Sequence, residues 1–430
     1  MLTRENNDLL CRVTGGAPMG EVFRSIWLPA LLSSQLPDRG KGEPTHSPVR
    51  LKLLGEELVA FRDGSNQVGI VQAHCAHRRA PLYYGKVETQ GIRCSYHGWL
   101  YDRQGACMEI PSEGPDSQVC RNMSLKSYRT RERAGIVWIF MGAHEPPALP
   151  RFPWIDLPAD QRIVSVWLQE TNWMQGVEGE IDSSHVSILH STNRETQVAN
   201  LVHRPWTFKD PKPKLFVQDT DVGFMSVARR RAEAQFYWRI TQWMLPMFSL
   251  VPSAVWPVSG RAWVPIDDEN TYTWDFAYLQ NGPIPEEYRE AVRNGDLFPP
   301  RIEYASHWLN TGGIIDTWVP LRRWNNNYLI DRDEQQLDRE TTGIHGVNDQ
   351  DRAMQEGMGR ISDRSQEKLV AADLTVVTAR RKLLDLVKKD GGVEAFRQLV
   401  GSGAVYAHDP VDEVSPDEAL PDFLRNQGVA

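Results

Sequence analysis

The sequence predicts an α+β protein in which a small antiparallel β domain precedes a larger domain of longer strands and helices. Three observations support this fold class. Short apolar runs separated by glycine-containing turns fill residues 49 to 142. The proline-rich stretch Pro146–Pro153 follows them and is typical of a domain boundary. Beyond it come longer strand-like runs and, near the C-terminus, segments with helical spacing of apolar residues.

The first part of the chain divides into residues 1–48, an N-terminal segment expected to pack on the β domain, and residues 49–145, the β domain itself. A short helix is predicted over Glu21–Leu32. Apolar runs rich in β-branched residues, bounded by turn residues, predict the strands of the β domain. The predicted strands begin at Val49, Leu58, Val68 and Gly135.

The larger domain is assigned to residues 146–404, and residues 405–430 are expected to form a loosely held tail. Its strands are predicted from long β-type runs, which are Arg162–Glu170, Lys214–Arg230, Gln235–Leu250, Arg261–Pro265 and Tyr272–Leu279. Its helices are predicted from apolar spacing, and they are Gln175–Leu189, Pro285–Asn294, Asp351–Ile361 and Ser365–Lys389.

Composition excludes several classes of function. The formal charge of −8 over 430 residues gives no basic footprint for nucleic acid. The longest apolar candidate for a membrane span, Trp243–Val258, is interrupted by three prolines, and the polar N-terminus is unlike a signal peptide. Five cysteines form no disulfide framework, which fits a reducing cytoplasm.

Two Cys/His pairs lie close together in this cysteine-poor chain. Cys75-Ala-His77 is followed, after sixteen residues, by Cys94-Ser-Tyr-His97-Gly98-Trp99. Two thiolates and two imidazoles bind either zinc or a Rieske [2Fe–2S] cluster, in which both cysteines hold one iron and both histidines the other. The Cys-x-His spacing favours the cluster, because short zinc motifs usually begin Cys-x-x-Cys. Zinc remains the alternative.

A second metal site is predicted around Asp182, His185 and His190. Residues three apart share a helix face, but residues five apart are separated by about 140° of helix rotation. His185 and His190 can therefore reach one metal only near a helix end or across a π-type turn. Two histidines with a distant carboxylate form the facial triad of non-haem Fe(II) oxygenases, which leaves one face open for dioxygen and substrate. The alternative is a chance pair of histidines.

These motifs together resemble the oxygenase α component of Rieske non-haem iron, ring-hydroxylating oxygenases, and most of all the phthalate dioxygenase-type enzymes. The resemblance rests on the two Cys/His pairs and on three further stretches. They are Asn172-Trp-Met-Gln-Gly-Val-Glu178, Asp182-x-x-His185-x4-His190, and Gln350-Asp351 followed by Ile361-Ser-Asp363-Arg364-Ser365-x-Glu367-x-Leu369. The resemblance implies an N-terminal Rieske domain and a C-terminal helix-grip, START-like catalytic domain with mononuclear iron.

The resemblance also implies roles for individual residues. The cluster ligands would be Cys75, His77, Cys94 and His97, and the Fe(II) ligands would be His185, His190 and a downstream acid. Asp351 matches that acid best, and Asp349 is the alternate. Family members are typically trimers, in which an acid at the position of Asp182 connects His97 of one subunit to His185 of its neighbour. Many relatives carry Asn where this chain has Gly179.

The predicted reaction uses dioxygen and electrons from NAD(P)H. They would arrive through a flavin and iron–sulfur reductase, directly or through a ferredoxin, because the chain has no dinucleotide-binding fingerprint. An aromatic carboxylate is the implied substrate, with ring dihydroxylation as the reaction. O-demethylation of a methoxylated, lignin-type aromatic acid is the alternative, and an electron carrier without oxygenase activity is the rival from another class. Arg239, on an apolar strand, is the candidate for binding the carboxylate, with a structural salt bridge as the other reading.

Overall fold

The computed structural model describes residues 2–38, 40, 47–114, 117–191, 205–253, 257–336, 342–402 and 410–415. Antiparallel sheets occupy both halves of the described chain, and most helices lie in the C-terminal half. The α+β prediction is therefore confirmed. In these residues, no helix is both long enough and apolar enough to cross a membrane.

The N-terminal half contains two antiparallel sheets. Its helices are α1 (Arg4–Cys11), α2 (Pro18–Phe23) and α3 (Gln118–Asn122), and its strands are β1 (Trp27–Leu32), β2 (Val49–Leu53), β3 (Glu56–Arg62), β4 (Val68–Gln72), β5 (Lys86–Glu88), β6 (Gly91–Arg93), β7 (Leu100–Tyr101), β8 (Cys107–Glu109), β9 (Ser127–Arg133) and β10 (Ile136–Phe140). One sheet has the order β1-β10-β9-β4-β3-β2 and the other β5-β6-β7-β8.

The C-terminal half is built on one large sheet, β11-β17-β16-β15-β14-β13-β12, with β20 paired to β14, and on a separate β18–β19 hairpin. The helices are α4 (Trp173–Ile181), α5 (Val186–Leu189), α6 (Trp206–Lys209), α7 (Glu286–Asn294), α8 (Arg332–Gln336), α9 (Val347–Gly357), α10 (Leu374–Lys388) and α11 (Gly392–Gly401). The strands are β11 (Arg162–Gln169), β12 (Lys214–Thr220), β13 (Gly223–Ala232), β14 (Gln235–Met244), β15 (Phe248–Val251), β16 (Val258–Pro265), β17 (Thr271–Tyr278), β18 (Ile302–Trp308), β19 (Ile314–Pro320) and β20 (Val411–Ser415).

The helix predicted over Glu21–Leu32 is wrong for most of its length. The helix α2 ends at Phe23, and Trp27–Leu32 is the edge strand β1, which pairs with β10. Pro29 explains the difference, because a proline is excluded from a helix interior but is tolerated at an irregularity of an edge strand. The N-terminal segment is shared between the halves, since α1 packs against α4 and α10.

Two long predicted strands are each folded into a pair. The run Lys214–Arg230 turns between β12 and β13, and the run Gln235–Leu250 turns between β14 and β15. Alternation of apolar residues is the same on both sides of a hairpin, so periodicity does not reveal the turn. The predicted loose tail also contributes β20, whose backbone pairs with Phe236–Ile240 of β14. Residues 405–409 and 416–430 of that tail lie outside the described residues.

A stack of aromatic rings joins the two halves where the proline-rich stretch ends. Trp154 is fully buried, and its ring lies 6.3 Å from Trp138 of β10 and 4.2 Å from Phe276 of β17. A single hydrophobic core therefore continues across the boundary between the halves. The packing gives both halves a fixed relative position.

A buried ion cluster centred on Glu178 holds α4 against the C-terminal helices. The Glu178 carboxylate accepts hydrogen bonds from Arg364, with a shortest distance of 2.8 Å, and from Arg380, at 2.6 Å. Burial alone would raise the pKa of Glu178, but the two guanidinium groups hold that pKa below its ordinary value. The carboxylate thus stabilises the fold above its ordinary pKa, and this contribution is lost as pH falls below it.

Removing Glu178 should destabilise the protein strongly. We expect Glu178→Ala to lower the free energy of unfolding by about 3–5 kcal/mol, because it leaves the buried Arg364 guanidinium without a carboxylate partner and leaves Arg380 paired with Glu367 alone. Urea denaturation measures the change. Glu394→Ala is the matched control, because that glutamate is 58% exposed beside Arg397 and should cost about 0.5 kcal/mol or less. Equal losses in the two variants would contradict the assigned role of the cluster.

Candidate metal centres and the adjoining cavity

The two Cys/His loops have closely similar backbones. The Cys75 N–H donates to the Ala80 carbonyl at 2.9 Å, and the Cys94 N–H donates to the Trp99 carbonyl at 2.8 Å. In each loop the fourth residue after the cysteine has a left-handed backbone, with φ of 60° at Arg79 and 75° at Gly98. The second loop joins β6 to β7. Two tight turns therefore present one cysteine and one histidine each.

At the loop tips, the two cysteines and the two histidines differ in exposure to solvent. Both cysteines are buried, at 2% and 3% exposure, whereas the imidazoles of His77 and His97 are exposed and lie 4.5 Å apart between ring centroids. The Tyr101 hydroxyl lies 3.2 Å from the Cys75 sulfur. Burial raises the pKa of Cys75, and the neighbouring Cys94 thiol adds to the rise, so two thiolates here need a metal cation as counter-charge. Paired cysteines inside and paired histidines outside fit a [2Fe–2S] cluster.

The helix predicted over Gln175–Leu189 is broken at the second metal site. The helix α4 ends at Ile181, Asp182 has an extended backbone, and α5 spans only Val186–Leu189. His185 and His190 flank α5 at its two ends. Of the two arrangements that let histidines five residues apart converge, a helix end and a π-type turn, the structure has the helix end.

The structure brings Asp351, and not Asp349, to the two histidines. One Asp351 carboxylate oxygen lies 3.2 Å from His190 Nε2 and 3.6 Å from His185 Nε2. Candidate ligand atoms of these three residues all lie within 4.8 Å of one another. Asp349 instead faces away and pairs with Arg352 at 2.9 Å. Two neutral imidazoles and one carboxylate on one side of a space are the donor set that suits non-haem Fe(II).

The Nδ1 atom of each histidine, on the side of the ring away from Asp351, has a side-chain partner. Asp182 lies 3.2 Å from His185 Nδ1, and the Gln350 side-chain oxygen lies 2.8 Å from His190 Nδ1. Each contact directs Nε2 toward Asp351 and fixes which ring nitrogen carries the proton. Burial raises the pKa of Asp182, but hydrogen bonding and attraction to His185 more than offset this, so its pKa lies below the ordinary value. Sequence reasoning noted Gln350 but assigned it no role.

A cavity opens beside the triad, enclosed by α4, α9 and the large sheet. Apolar side chains form much of its wall, among them Val186, Val251, Trp263, Leu297 and Phe298. Two guanidinium groups also line it. Arg261 is ion-paired with Glu180 and lies 3.5 Å from Asp275. Arg239 instead contacts a backbone carbonyl. The sequence analysis identified Arg239 but missed Arg261, because a β-strand pattern does not show which face meets a cavity.

Arg239 is 4% exposed, and its guanidinium donates to the Pro252 carbonyl at 3.1 Å. In the part of the chain that the structure describes, no carboxylate is placed within ion-pair distance of Arg239. The salt bridge stays open as the alternative reading, because Asp412 of β20 stands opposite Arg239 in register and its side chain lies outside the described residues. The cavity wall thus carries one buried cation whose charge is unmatched by the described side chains.

Gly179 is complemented by an amide from another helix. A Cβ atom at position 179 would lie 2.4 Å from the Gln355 side-chain nitrogen. The Gln355 side-chain oxygen accepts a hydrogen bond from Gln169 at 2.6 Å, so the amide is held in place. Gln355 and Gly179 both line the cavity. The Gln355 amide of α9 thus occupies the space that a side chain at position 179 would take.

The close approach of Gln355 to position 179 predicts that substitutions at these two positions affect stability together. We expect Gly179→Asn to lower the free energy of unfolding by about 1–3 kcal/mol, because the new side chain overlaps Gln355. Adding Gln355→Ala should recover about 0.5 kcal/mol or more of that loss, as measured by urea denaturation in a double-mutant cycle. Gly357→Ala, where a Cβ meets nothing within 4 Å, is the control. If the stability losses of the two single variants simply add in the double variant, this contact between positions 179 and 355 is contradicted.

The chain matches the Rieske [2Fe–2S] domain over residues 26–129 and the family described as LigXa C-terminal domain like over residues 139–405. The match to the Rieske domain confirms the cluster prediction over zinc. A solved structure, the terminal oxygenase of carbazole 1,9a-dioxygenase from Novosphingobium sp. KA1, superposes with a TM-score of 0.58 at 21% identity over 88% of this chain and 96% of that one. It shares the fold.

Curated relatives are similar over most of their length. The 3-chlorobenzoate-3,4-dioxygenase oxygenase subunit of Comamonas testosteroni is 36% identical over 90% of this chain and 89% of its own. The phthalate 4,5-dioxygenase oxygenase subunit of Pseudomonas putida is 36% identical over 94% and 89%. The 5,5'-dehydrodivanillate O-demethylase oxygenase subunit of a Sphingobium strain is 27% identical over 98% and 88%.

Proposed function

Because this chain belongs to the Rieske non-haem iron oxygenases, as an oxygenase component, we propose that its substrate is an aromatic carboxylate. The chain is an oxygenase of a multicomponent system that takes its electrons from a partner protein, and the electron-carrier alternative is wrong. The proposed reaction is dihydroxylation of the ring of a benzoate- or phthalate-type acid. The proposed partner is a flavin and iron–sulfur reductase that oxidises NAD(P)H, acting directly or through a ferredoxin.

The single observation that carries the substrate proposal is the buried Arg239 beside the triad. A buried charge is costly unless it is paired, and a guanidinium matches a carboxylate through two parallel hydrogen bonds. A substrate carboxylate would supply such a partner. The apolar wall formed by Val251, Leu297 and Phe298 is suited to the ring of the same molecule. The substrates named for two of the relatives, chlorobenzoate and phthalate, are aromatic carboxylates.

The metal ligands are proposed on the geometry of the two centres. Cys75, Cys94, His77 and His97 would hold the [2Fe–2S] cluster, and His185, His190 and Asp351 would hold Fe(II). When bound, these groups supply the electron storage and the dioxygen chemistry. Asp182 and Gln350 orient the two iron-binding imidazoles, and the apolar cavity wall excludes water from the substrate.

Asp182 is also proposed to connect two subunits of a homotrimer. His97 is exposed at a loop tip beside Tyr96, which is 58% exposed, so the loop is available to another copy of the chain. Asp182 lies at a groove whose rim includes the exposed side chains of Ile188 and Met358. A second copy that inserted its loop tip there would bring His97 to the free side of the Asp182 carboxylate.

Replacing Asp182 should slow electron transfer between subunits while the protein remains folded. We expect Asp182→Asn to slow reoxidation of the reduced cluster by about 10–100-fold, because the amide has one acceptor atom and one donor group, whereas both carboxylate oxygens can accept from imidazoles on opposite sides. The rate is measured by stopped-flow absorbance after the reduced enzyme is mixed with buffer that contains both substrate and dioxygen. Asp219→Asn, at a 69% exposed position, is the control. An unchanged rate with full iron content would remove the connecting role.

The proposed function is tested by NADH-coupled oxygen uptake with reductase and a panel of acids. Benzoates and phthalates should stimulate uptake and give cis-dihydrodiols. A second candidate, O-demethylation, is favoured by the relative named as a 5,5'-dehydrodivanillate O-demethylase subunit, and it predicts formaldehyde from methoxylated acids instead. No turnover with any aromatic acid, but turnover with uncharged aromatics, would contradict the substrate class.

A further inference from the structure

Cys107 and Cys120 form a thiol pair outside both metal centres. Their sulfur atoms lie 3.1 Å apart, and the Cys120 thiol also lies 3.3 Å from the Cys107 carbonyl oxygen. Cys107 belongs to β8 and Cys120 to α3, which packs on that strand. The two thiols are therefore already in contact, and neither β8 nor α3 must move far for a covalent bond to form.

The pair lies close to the proposed cluster. Cys107 is paired in register with Tyr101 of β7, and the Tyr101 hydroxyl lies 3.2 Å from the Cys75 sulfur. Hydrogen bonds to cluster sulfurs influence the reduction potential of an iron–sulfur centre. A change at Cys107 thus lies two contacts from a proposed cluster ligand.

We propose that Cys107 and Cys120 form a reversible disulfide when the enzyme meets an oxidising low-molecular-weight disulfide. Cys107 is the accessible member, since it is half-buried while Cys120 is 9% exposed. Its thiolate attacks the external disulfide, which forms a mixed disulfide and releases one thiol. The Cys120 thiolate then attacks the Cys107 sulfur and releases the second thiol. Two electrons pass from the protein sulfurs to the external pair, and the two protons given up by Cys107 and Cys120 end on the two released thiols.

The surroundings of the pair make the reaction slow. Burial and the adjacent Cys120 raise the pKa of Cys107 to about 12, so only a small fraction is thiolate at neutral pH. The rate should rise with pH because the thiolate is the attacking species. The pair would therefore respond to sustained oxidising conditions and would remain reduced during brief exposure.

Mass spectrometry of the intact holoenzyme tests the proposal. The protein is incubated at pH 8 with oxidised glutathione, denatured in the presence of iodoacetamide, and digested with a protease that cleaves after glutamate, since Glu109 and Glu113 lie between the two cysteines. We expect one cross-linked peptide pair joining Cys107 to Cys120, lighter than the two reduced peptides by about 2 Da and restored by dithiothreitol. Cys11, buried against Arg364, should be alkylated in full and is the internal control. Alkylation of both Cys107 and Cys120 after equilibration would overturn the proposal.

Two variants separate the steps. Cys120→Ser should stop at a glutathione adduct on Cys107, whereas Cys107→Ser should leave Cys120 unmodified. A stable adduct on Cys107 in the wild-type protein, without the cross-link, would also overturn the proposal. The visible spectrum of the cluster confirms that each sample remains folded. None of these measurements depends on the substrate, so they stand or fall separately from the oxygenase reaction.

Discussion

His185→Ala should lower the iron content from about three to about two atoms per chain and abolish turnover, while the visible spectrum of the cluster stays unchanged. The imidazole of His185 lies 3.6 Å from Asp351, and its removal leaves two candidate ligands for the mononuclear metal. Because the cluster is held by other loops, its absorbance should report a folded protein. Iron and acid-labile sulfide analysis measures the loss, and product formation measures turnover.

The control for this variant is His345→Ala, since His345 is 43% exposed beside Asp296 and lies outside the triad. A complementation experiment extends it. His97→Ala should lack an intact cluster, and hybrids co-expressed from His97→Ala and His185→Ala chains should regain activity if electrons cross between subunits. Product formation by His185→Ala at the wild-type rate would contradict the assignment of the triad.

Arg239→Met should lower kcat/KM for aromatic carboxylates by roughly 10²-fold or more without destabilising the protein. Removing one partner of a buried charge pair typically costs about 2–5 kcal/mol, and each 1.4 kcal/mol is about tenfold. In the protein without substrate, the methionine replaces a buried charge that has no described carboxylate partner, so the free energy of unfolding should stay the same or rise. Steady-state kinetics and urea denaturation give the two quantities.

A substrate analogue provides the sharper control for Arg239. The carboxamide of the best acid lacks the negative charge, so wild type and Arg239→Met should use it with nearly equal kcat/KM. Arg293→Met, at a 60% exposed position, should behave as wild type with both compounds. A large loss of stability in Arg239→Met, with equal kinetic loss for acid and amide, would instead indicate a structural arginine.

The cluster and the two histidines proposed to bind iron could be predicted because their signals are local. Cys75 and His77, or Cys94 and His97, lie within one tight turn, so their spacing along the chain already limits the geometry that they can adopt. The same holds for His185 and His190, where the five-residue spacing required a helix end or a π-type turn and the structure has a helix end. The α+β class also follows from local runs and turns, although a strand and a hairpin were not distinguished within those runs.

Contacts between distant parts of the chain were decided only by the tertiary structure. The sequence proposed Asp351 and Asp349 as alternatives, and the packing of α9 turns the first toward His190 and the second toward Arg352. The contact of Gln355 with Gly179 likewise joins α4 to a helix more than 170 residues away.

By itself the sequence therefore determined which chemistry the protein carries, because ligand types and their short-range spacing are properties of single loops. The tertiary structure decided which acid lies beside the two histidines, that Arg239 lies buried at the cavity, and that Cys107 meets Cys120. The physical reason is that these features depend on how strands and helices pack across the core, and a periodic pattern states only that a face is buried, not what it faces.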